Sequence, residues 1–85
     1  MTNDKLHLII KNRETTLFDG EISSLTSYNE LGGFDVLPQH ANFISLIKEK
    51  ISYRDLTGVE KTITLTNGII RVESNYVEVF LGIGK

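Results

Sequence analysis

The chain has 85 residues, with 9 Lys and Arg against 11 Asp and Glu, and a formal net charge of −2. This length indicates one domain, residues 1–85, and the slight negative charge argues against a nucleic-acid binder, which usually carries a basic face. Because the chain has no cysteine, disulfides, zinc–thiolate sites and thiol nucleophiles are excluded.

Alternating apolar and polar residues dominate the chain and predict half-buried β-strands. The alternation begins at Leu6 and returns near Ile63 and Val77. Segment 44–52 also fits one face of a helix, but its neighbours favour a strand, a kink and a second strand. From Ile51 to Leu81 we expect a four-stranded antiparallel meander. The predicted fold is all-β, a flattened β-sandwich or barrel of about eight to ten short, mostly antiparallel strands, without C-terminal helices.

Short polar or glycine-containing segments separate the apolar runs and predict turns. The strongest signal is Asn67-Gly68, because both residues tolerate the positive φ of a tight hairpin turn. Proline lacks a backbone donor and therefore belongs in a turn or on a sheet edge. The residues assigned to structural turns are Gly20, Pro38, Asn67 and Gly68.

Candidate catalytic and metal-binding residues are few. His7 and His40 lie far apart in the sequence, and a metal site at His40 would need carboxylates such as Asp35, whereas ligands in small domains usually cluster more tightly. Neither a Gly-x-Ser-x-Gly nor a His-Glu-x-x-His motif is present. We expect no catalytic residue, no metal and no cofactor. The longest apolar run, Phe80 to Ile83, is far too short to span a membrane.

The segment from Gly32 to Phe43 concentrates unusual residues: two glycines, the only proline, a histidine and two phenylalanines. One interpretation is a strand, a proline-centred corner and another strand. The other is a pair of loops that presents residues to a partner, since loops on rigid β scaffolds often carry function. The residues alone leave both interpretations open.

This segment resembles a family pattern, Gly-x-(Leu/Phe)-x-(Ile/Val)-x-Pro-Gly-His-Ala-x-(Leu/Phe). The family is the epsilon subunit of the F-type ATP synthase, in its N-terminal β-sandwich domain. Segment 17–20 is similar to the family's Phe-x-Gly, and segment 65–72 is similar to its Leu-x-Gly-Gly-(Ile/Phe)-x-x-Val. The resemblance covers residues 5–82. Gln39 replaces the glycine after Pro38, which implies either no positive φ at this position or a strained corner.

The resemblance implies a non-catalytic central-stalk (rotor) subunit that couples c-ring rotation, driven by the proton motive force, to the gamma subunit and ATP synthesis. Its partners would be gamma and the c-ring directly, and the alpha and beta subunits indirectly. Its location would be peripheral, at the cytoplasmic face of the cell membrane. The implied c-ring-facing loop comprises Asn29, Glu30, Leu31, Gly32, Gly33 and Phe34. The implied gamma-facing residues are His40, Ala41, Asn42 and Phe43.

The family usually continues into a C-terminal helical hairpin that inhibits ATP hydrolysis, and this sequence stops where those helices begin. On the resemblance, the expected subunit transmits torque without that inhibition. The alternative function is a free-standing small β-sandwich binding module. A biotinyl or lipoyl carrier would need a lysine at the hairpin tip, where Asn67-Gly68 stands. An oligonucleotide-binding barrel would need aromatic and basic residues gathered on one face.

Overall fold

The computed structural model describes residues 5–39 and 42–82. These residues form strands, turns and connections without any helix, and so without any helix able to cross a membrane. The all-β prediction is therefore confirmed for the described residues. The strands are β1 (Leu6–Lys11), β2 (Thr16–Asn29), β3 (Gly32–Val36), β4 (Phe43–Asp55), β5 (Glu60–Glu73) and β6 (Tyr76–Leu81).

Five of the strands close into a barrel. Their order is β1-β6-β5-β4-β2, and β1 also pairs with β2, which completes the circle. β3 pairs with the C-terminal part of β2, from Leu25 to Asn29, and lies outside the closed ring. The β1–β6 pair is parallel and every other pair is antiparallel. The prediction of mostly antiparallel pairing is confirmed.

The described residues form six strands, fewer than the eight to ten expected from the sequence. The reason is that β2 and β4 are long and bend without ending. The pairing of β2 with β4 shifts register at Ile22/Ser24 and at Thr26/Tyr28, and β4 shifts against β5 at Ile47/Glu49. Such bulges bend a strand and let it serve two parts of a barrel. Glu49 has φ 75° at the last of them, which confirms the predicted strand, kink and strand.

Three of the predicted structural turns are wrong. Gly20 lies inside β2, opposite Leu8, and Asn67 and Gly68 lie inside β5. The expected four-stranded meander is therefore three strands, β4, β5 and β6. A Cβ atom on Gly68 would lie 2.6 Å from the carbonyl oxygen of Phe80, so glycine is needed there for a close approach of two backbones.

The β5–β6 turn is formed by Ser74 and Asn75, with φ angles of 52° and 64°. Two successive residues in the left-handed region give a turn whose twist suits a β-hairpin. Pro38 lies in the connection between β3 and β4, where the sequence placed a turn.

All six strands contribute buried residues to one hydrophobic core, with Val36 contributed by β3. On β1, for example, Leu6, Leu8 and Ile10 are buried while the residues between them are partly exposed. The buried polar side chain among the described residues is Ser27, whose hydroxyl donates to the carbonyl of Lys50 at 2.9 Å. The remaining core residues are Ile22, Leu25, Val36, Ile47, Ile51, Tyr53, Ile70, Val72, Val77, Val79 and Leu81.

Candidate functional site at the β2–β3 tip

The tip between β2 and β3 carries the most exposed large apolar side chain of the described residues, Leu31, at 96%. Only Glu30 and Leu31 separate the two strands. Gly32, which follows them, has φ 122°, a conformation that favours glycine because other residues have a Cβ atom. The tight tip therefore holds Leu31 away from the core.

The outer face of β4 next to this tip is also apolar. Ile44 is 69% exposed and Leu46 is 67% exposed, whereas Ile47 faces the core. Leu46 lies opposite Ile69 on β5, and Ile69 lies opposite Phe80 on β6. Opposite residues in paired strands lie on the same face. We call Leu46, Ile69 and Phe80 the apolar row, and it crosses three strands from the tip to β6.

A groove of about 350 Å³ lies between the tip and β4. We call it the Leu31 groove, and its lining residues are Asn29, Glu30, Leu31, Ile44, Ser45 and Leu46. One wall is the tip and the other is the exposed face of β4, so the groove joins the two exposed apolar features of this end of the barrel. Its mixture of leucine and isoleucine with amide, hydroxyl and carboxylate groups suits a protein surface as its occupant.

The side chain of Asn29 spans the base of this groove. Its Oδ1 accepts a hydrogen bond from the N–H of Leu31 at 2.8 Å. Its Nδ2 donates to the hydroxyl of Ser45 at 3.2 Å, and that hydroxyl donates to the carbonyl of Leu46 at 3.0 Å. One side chain therefore bonds both to the tip and to the neighbouring strand.

The structure divides the predicted c-ring-facing loop into two parts. Asn29, Glu30 and Leu31 lie at the tip and line the groove. Phe34 instead packs edge-on against Phe43, with ring centroids 5.7 Å apart, and both rings pack against the core. Phe34 thus supports the tip from inside, whereas Leu31 is presented to solvent.

Of the predicted gamma-facing residues, His40 and Ala41 lie outside the described residues. Asn42 accepts a hydrogen bond from the N–H of Ser74 at 3.0 Å through its Oδ1. Asn42 and Phe43 also line a shallow depression of about 430 Å³ together with Ile44, Arg71, Val72 and Glu73. These two residues lie next to the exposed face of β4.

A chain of charged side chains runs beside Phe80. The carboxylate of Glu78 accepts from Arg71 at 3.0 Å and lies 3.0 Å from the ammonium of Lys11. These hydrogen bonds, first from Arg71 and then from Lys11, hold the pKa of Glu78 below its usual value. The Lys11 ammonium also lies 4.7 Å from the centre of the Phe80 ring. These contacts tie β1, β6 and β5 together at the end of the apolar row.

Two candidate metal-site residues, His7 and Asp35, lie within the described residues, and each contacts neighbouring side chains. His7 places Nε2 2.7 Å from Oδ1 of Asp19 and stacks on Tyr76, with ring centroids 5.4 Å apart. Asp35 accepts a hydrogen bond from the hydroxyl of Thr26 at 2.7 Å. Within residues 5–39 and 42–82, no group of three or more acidic or histidine side chains is arranged to hold a metal ion.

The sequence assigned no binding role to Ile44, Leu46 or Ile69. Their signal was present, because segment 43–47 is apolar at four of its five positions and so carries hydrophobic residues on both faces of one strand. Such a strand is either covered on both sides or exposes one apolar face. The sequence did not show which.

Comparison with known proteins identifies the fold. The ATP synthase Delta/Epsilon chain beta-sandwich domain matches residues 5–82. This chain belongs to that family. The two regions that define the candidate site, the tip and the face of β4, both fall within the matched part of this Delta/Epsilon beta-sandwich.

Curated relatives carry the same domain within longer chains. An ATP synthase epsilon chain of a Nitratiruptor species is 36% identical over 73 residues, which cover 85% of this chain and 57% of the relative. One from Clostridium botulinum (strain Hall) is 33% identical over 75 residues, which cover 87% of this chain and 56% of the relative. The Delta/Epsilon beta-sandwich chain described here therefore spans little more than half the length of these relatives.

Solved structures show the same fold at low sequence identity. A chain in the Euglena gracilis mitochondrial ATP synthase (OSCP/F1/c-ring) matches with a TM-score of 0.88 and 12% identity, over 95% of this chain and 52% of that one. A chain in the central stalk/c-ring of the Tetrahymena thermophila mitochondrial ATP synthase matches with a TM-score of 0.74 and 10% identity, over 95% and 66%. These matches establish the likeness of the beta-sandwich.

Proposed function

We propose that this chain acts as a non-catalytic central-stalk subunit of an F-type ATP synthase and couples rotation of the c-ring to the gamma subunit. The observation that carries the proposal is the family match over residues 5–82. It is supported by relatives named ATP synthase epsilon chain and by structural neighbours from ATP synthase assemblies. No observation favours a free-standing binding module.

The proposed c-ring contact is the β2–β3 tip, Asn29 to Phe34, with Leu31 at its centre. A leucine that is 96% exposed contributes nothing to the core and gains free energy once a partner covers it. Apolar burial is favourable by about 25 cal/mol per Å². The Leu31 groove lies beside the tip, between it and the exposed face of β4.

The proposed gamma contact begins at His40, Ala41, Asn42 and Phe43 and continues along the exposed face of β4. Two observations support this gamma contact. Asn42 and Phe43 lie beside Ile44, which is 69% exposed, and the exposed apolar surface continues from Leu46 along the apolar row. Contiguous exposed apolar surface rimmed by charged groups is typical of protein interaction sites. Arg71, Glu78 and Lys11 supply such a rim.

In this proposal the chain is peripheral to the membrane, at the cytoplasmic face of the cell membrane, and it requires no cofactor. Catalysis belongs to the alpha and beta subunits, with which the chain interacts only through gamma. The isolated chain is accordingly expected to hydrolyse no ATP. Its contribution to the enzyme is mechanical, because a closed barrel keeps its shape while force passes from the tip to the gamma contact.

The direct test is recovery of partners. The tagged full chain, expressed in its source organism, is purified from detergent-solubilised membranes, and the recovered proteins are identified by mass spectrometry. We expect gamma and the c subunit in constant proportion to the tagged chain. Recovery of the chain without them would overturn the proposal, as would a fully coupled ATP synthase isolated from cells that lack the chain.

A matched pair of variants tests the tip. Leu31→Ser removes the apolar group that we assign to the c-ring contact, whereas Leu56→Ser removes an equally simple exposed group, 52% exposed, from the turn after β4 at the other end of that strand. We expect Leu31→Ser to lower retention of the c subunit by at least about tenfold, since burial of a leucine is worth about 1.5–3 kcal/mol. Equal retention in both variants would contradict the assignment.

A further inference from the structure

We infer that Asn29 and Ser45 are positioning residues that hold the β2–β3 tip against β4 and so fix where Leu31 is presented. The inference rests on the proposed function, because Leu31 is there the centre of a partner contact. It adds a specific claim, namely that the contact depends on a hydrogen bond within this chain, between Asn29 and Ser45.

The geometry of Asn29 is that of a bridge. Its Oδ1 accepts from the N–H of Leu31 at 2.8 Å, which folds the tip back on itself. Its Nδ2 donates to Oγ of Ser45 at 3.2 Å, on a strand 16 residues away in sequence. The amide oxygen of Asn29 therefore bonds to the tip and its amide nitrogen bonds to β4. Loss of either hydrogen bond breaks the connection between the tip and β4.

Ser45 is prepared for this role. Its hydroxyl donates its only hydrogen to the carbonyl of Leu46 at 3.0 Å, so its oxygen lone pairs remain available to accept from Asn29. The donor and acceptor roles of both side chains are consistent with each other.

The tip needs such a contact because the strand before it is irregular. The pairing of β2 with β4 shifts register between Thr26 and Tyr28, immediately before Asn29. A bulge re-aims the end of a strand, and beyond it β2 pairs with β4 at Tyr28, opposite Lys48. The bond from Asn29 to Ser45 lies one residue farther along β2 and adds a side-chain link to β4 at the base of the tip.

A fixed tip favours binding. Ordering a loop residue on binding costs about 1–2 kcal/mol of conformational entropy, and a loop that is already ordered avoids this cost. Leu31 has almost no packing of its own, since it is 96% exposed. Its position therefore depends on the backbone beneath it, and the Asn29 side chain holds that backbone. The same bond also sets the width of the Leu31 groove.

Three substitutions on β4 separate positioning from stability. Ser45→Ala removes the acceptor but leaves the bond from Asn29 to Leu31 available. Ser45→Thr keeps a hydroxyl and suits a strand, so it serves as the conservative rescue. Ser52→Ala is the matched control, because Ser52 is on the same strand and its hydroxyl pairs instead with that of Thr62 at 3.0 Å.

Two quantities are measured on the full chain: the amide hydrogen-exchange rate of Leu31, and recovery of gamma and the c subunit from membranes. We expect Ser45→Ala to raise the exchange rate of the Leu31 amide and to lower the recovery of gamma and the c subunit, each by about three- to tenfold. A change of this size corresponds to the free energy of one ordinary hydrogen bond. Ser45→Thr should restore both values, and Ser52→Ala should leave both unchanged. The global unfolding free energies of Ser45→Ala and Ser52→Ala should agree.

Unchanged Leu31 exchange in Ser45→Ala would overturn the inference. Faster exchange with undiminished partner recovery would overturn it also, because the tip would then be loosened without effect on binding. Failure of the parent chain to recover gamma and the c subunit would overturn the proposed function instead. In that case the exchange rates alone decide whether Ser45 holds the tip.

Discussion

The main-chain N–H of Gln39 donates a hydrogen bond to Oδ1 of Asn75 at 2.6 Å, and both residues have left-handed backbone conformations, with φ of 67° and 64°. Asparagine tolerates this region better than most residues, but glutamine does not. The bond joins the β3–β4 corner to the β5–β6 turn. A second bond, from the N–H of Ser74 to Asn42, joins the same two segments. The corner is therefore held in place although Gln39 is strained.

We predict that Gln39→Gly stabilises the protein by about 1 kcal/mol, because glycine removes the left-handed penalty and keeps the donor to Asn75. The corresponding rise in melting temperature is about 4–8 °C for a domain of this size. Thermal unfolding followed by circular dichroism measures it. Gln39→Ala is the control, since alanine shortens the side chain but retains the strain. If the melting temperature rose equally in both variants, the effect would come from loss of the glutamine side chain and not from relief of backbone strain.

Gly68→Ala is predicted to destabilise the barrel by more than about 2 kcal/mol. The new Cβ would lie 2.6 Å from the Phe80 carbonyl oxygen, and two backbones in a closed barrel cannot separate without losing pairing. Gly20→Ala is the matched control on β2, because its Cβ would meet only the end of the Phe18 ring, at 3.2 Å. Urea denaturation compares them. Similar midpoints for the two variants would show that β5 and β6 are less closely packed than described.

The stability of the protein is predicted to fall in acid through Glu78. Hydrogen bonds from Arg71 and Lys11 lower the pKa of this carboxyl in the folded state, below its ordinary value of 4.5. The unfolded chain therefore takes up the proton first as the pH falls, and the stabilisation is present above about pH 4.5 and is lost as the pH drops through the lower folded-state pKa.

Glu78→Gln should reduce the loss of stability below about pH 4.5. The stability is measured as the urea unfolding midpoint at a series of pH values from neutral to pH 3. The matched variant is Glu60→Gln, whose carboxylate meets Arg54 at 3.4 Å on the exposed β4–β5 hairpin. It should retain the profile of the parent protein. If Glu78→Gln retained it as well, the acid sensitivity would have to arise from other carboxylates.

Leu46 and Ile47 are adjacent on β4 and are predicted to differ sharply in their effect on folding. Leu46 is 67% exposed and Ile47 is 2% exposed. Leu46→Ala should change the unfolding free energy by less than about 0.5 kcal/mol, whereas Ile47→Ala should lower it by about 2–5 kcal/mol because it leaves a cavity. Chemical denaturation of the chain alone measures both. A large loss for Leu46→Ala would place that residue in the core and remove it from the proposed interface.

The fold class could be predicted from the sequence because alternation is a local property of each strand. Leu6, Leu8 and Ile10 on β1 show this directly. The turn predicted at Asn67-Gly68 failed because a glycine in a tight turn and a glycine under a crossing backbone look the same in sequence. Only the register that places Gly68 opposite Leu81 distinguishes them.

The candidate site was predicted in part, for a similar reason. The short loop at Glu30 and Leu31 follows from local turn chemistry, and the sequence indicated its place. The bond from Asn29 to Ser45 joins residues on different strands and depends on a bulge in β2, neither of which has a local signature. The conformation of Gln39 was predicted in part. Because Gln39 replaces a glycine of the family pattern, the sequence left open whether this residue has a positive φ, and its φ of 67° shows that it does.

The parallel pairing of β1 with β6 also has a consequence during synthesis. β1 leaves the ribosome first and can pair with β2 early, but its second edge has no neighbour until Tyr76–Leu81 has emerged. For most of translation the chain therefore exposes a strand edge whose inward side chains are leucine and isoleucine, a ready template for pairing with other chains. A chain that ends after Glu73 would have two such open edges, on β1 and on β5, and would therefore be more exposed to pairing with other chains than the complete barrel.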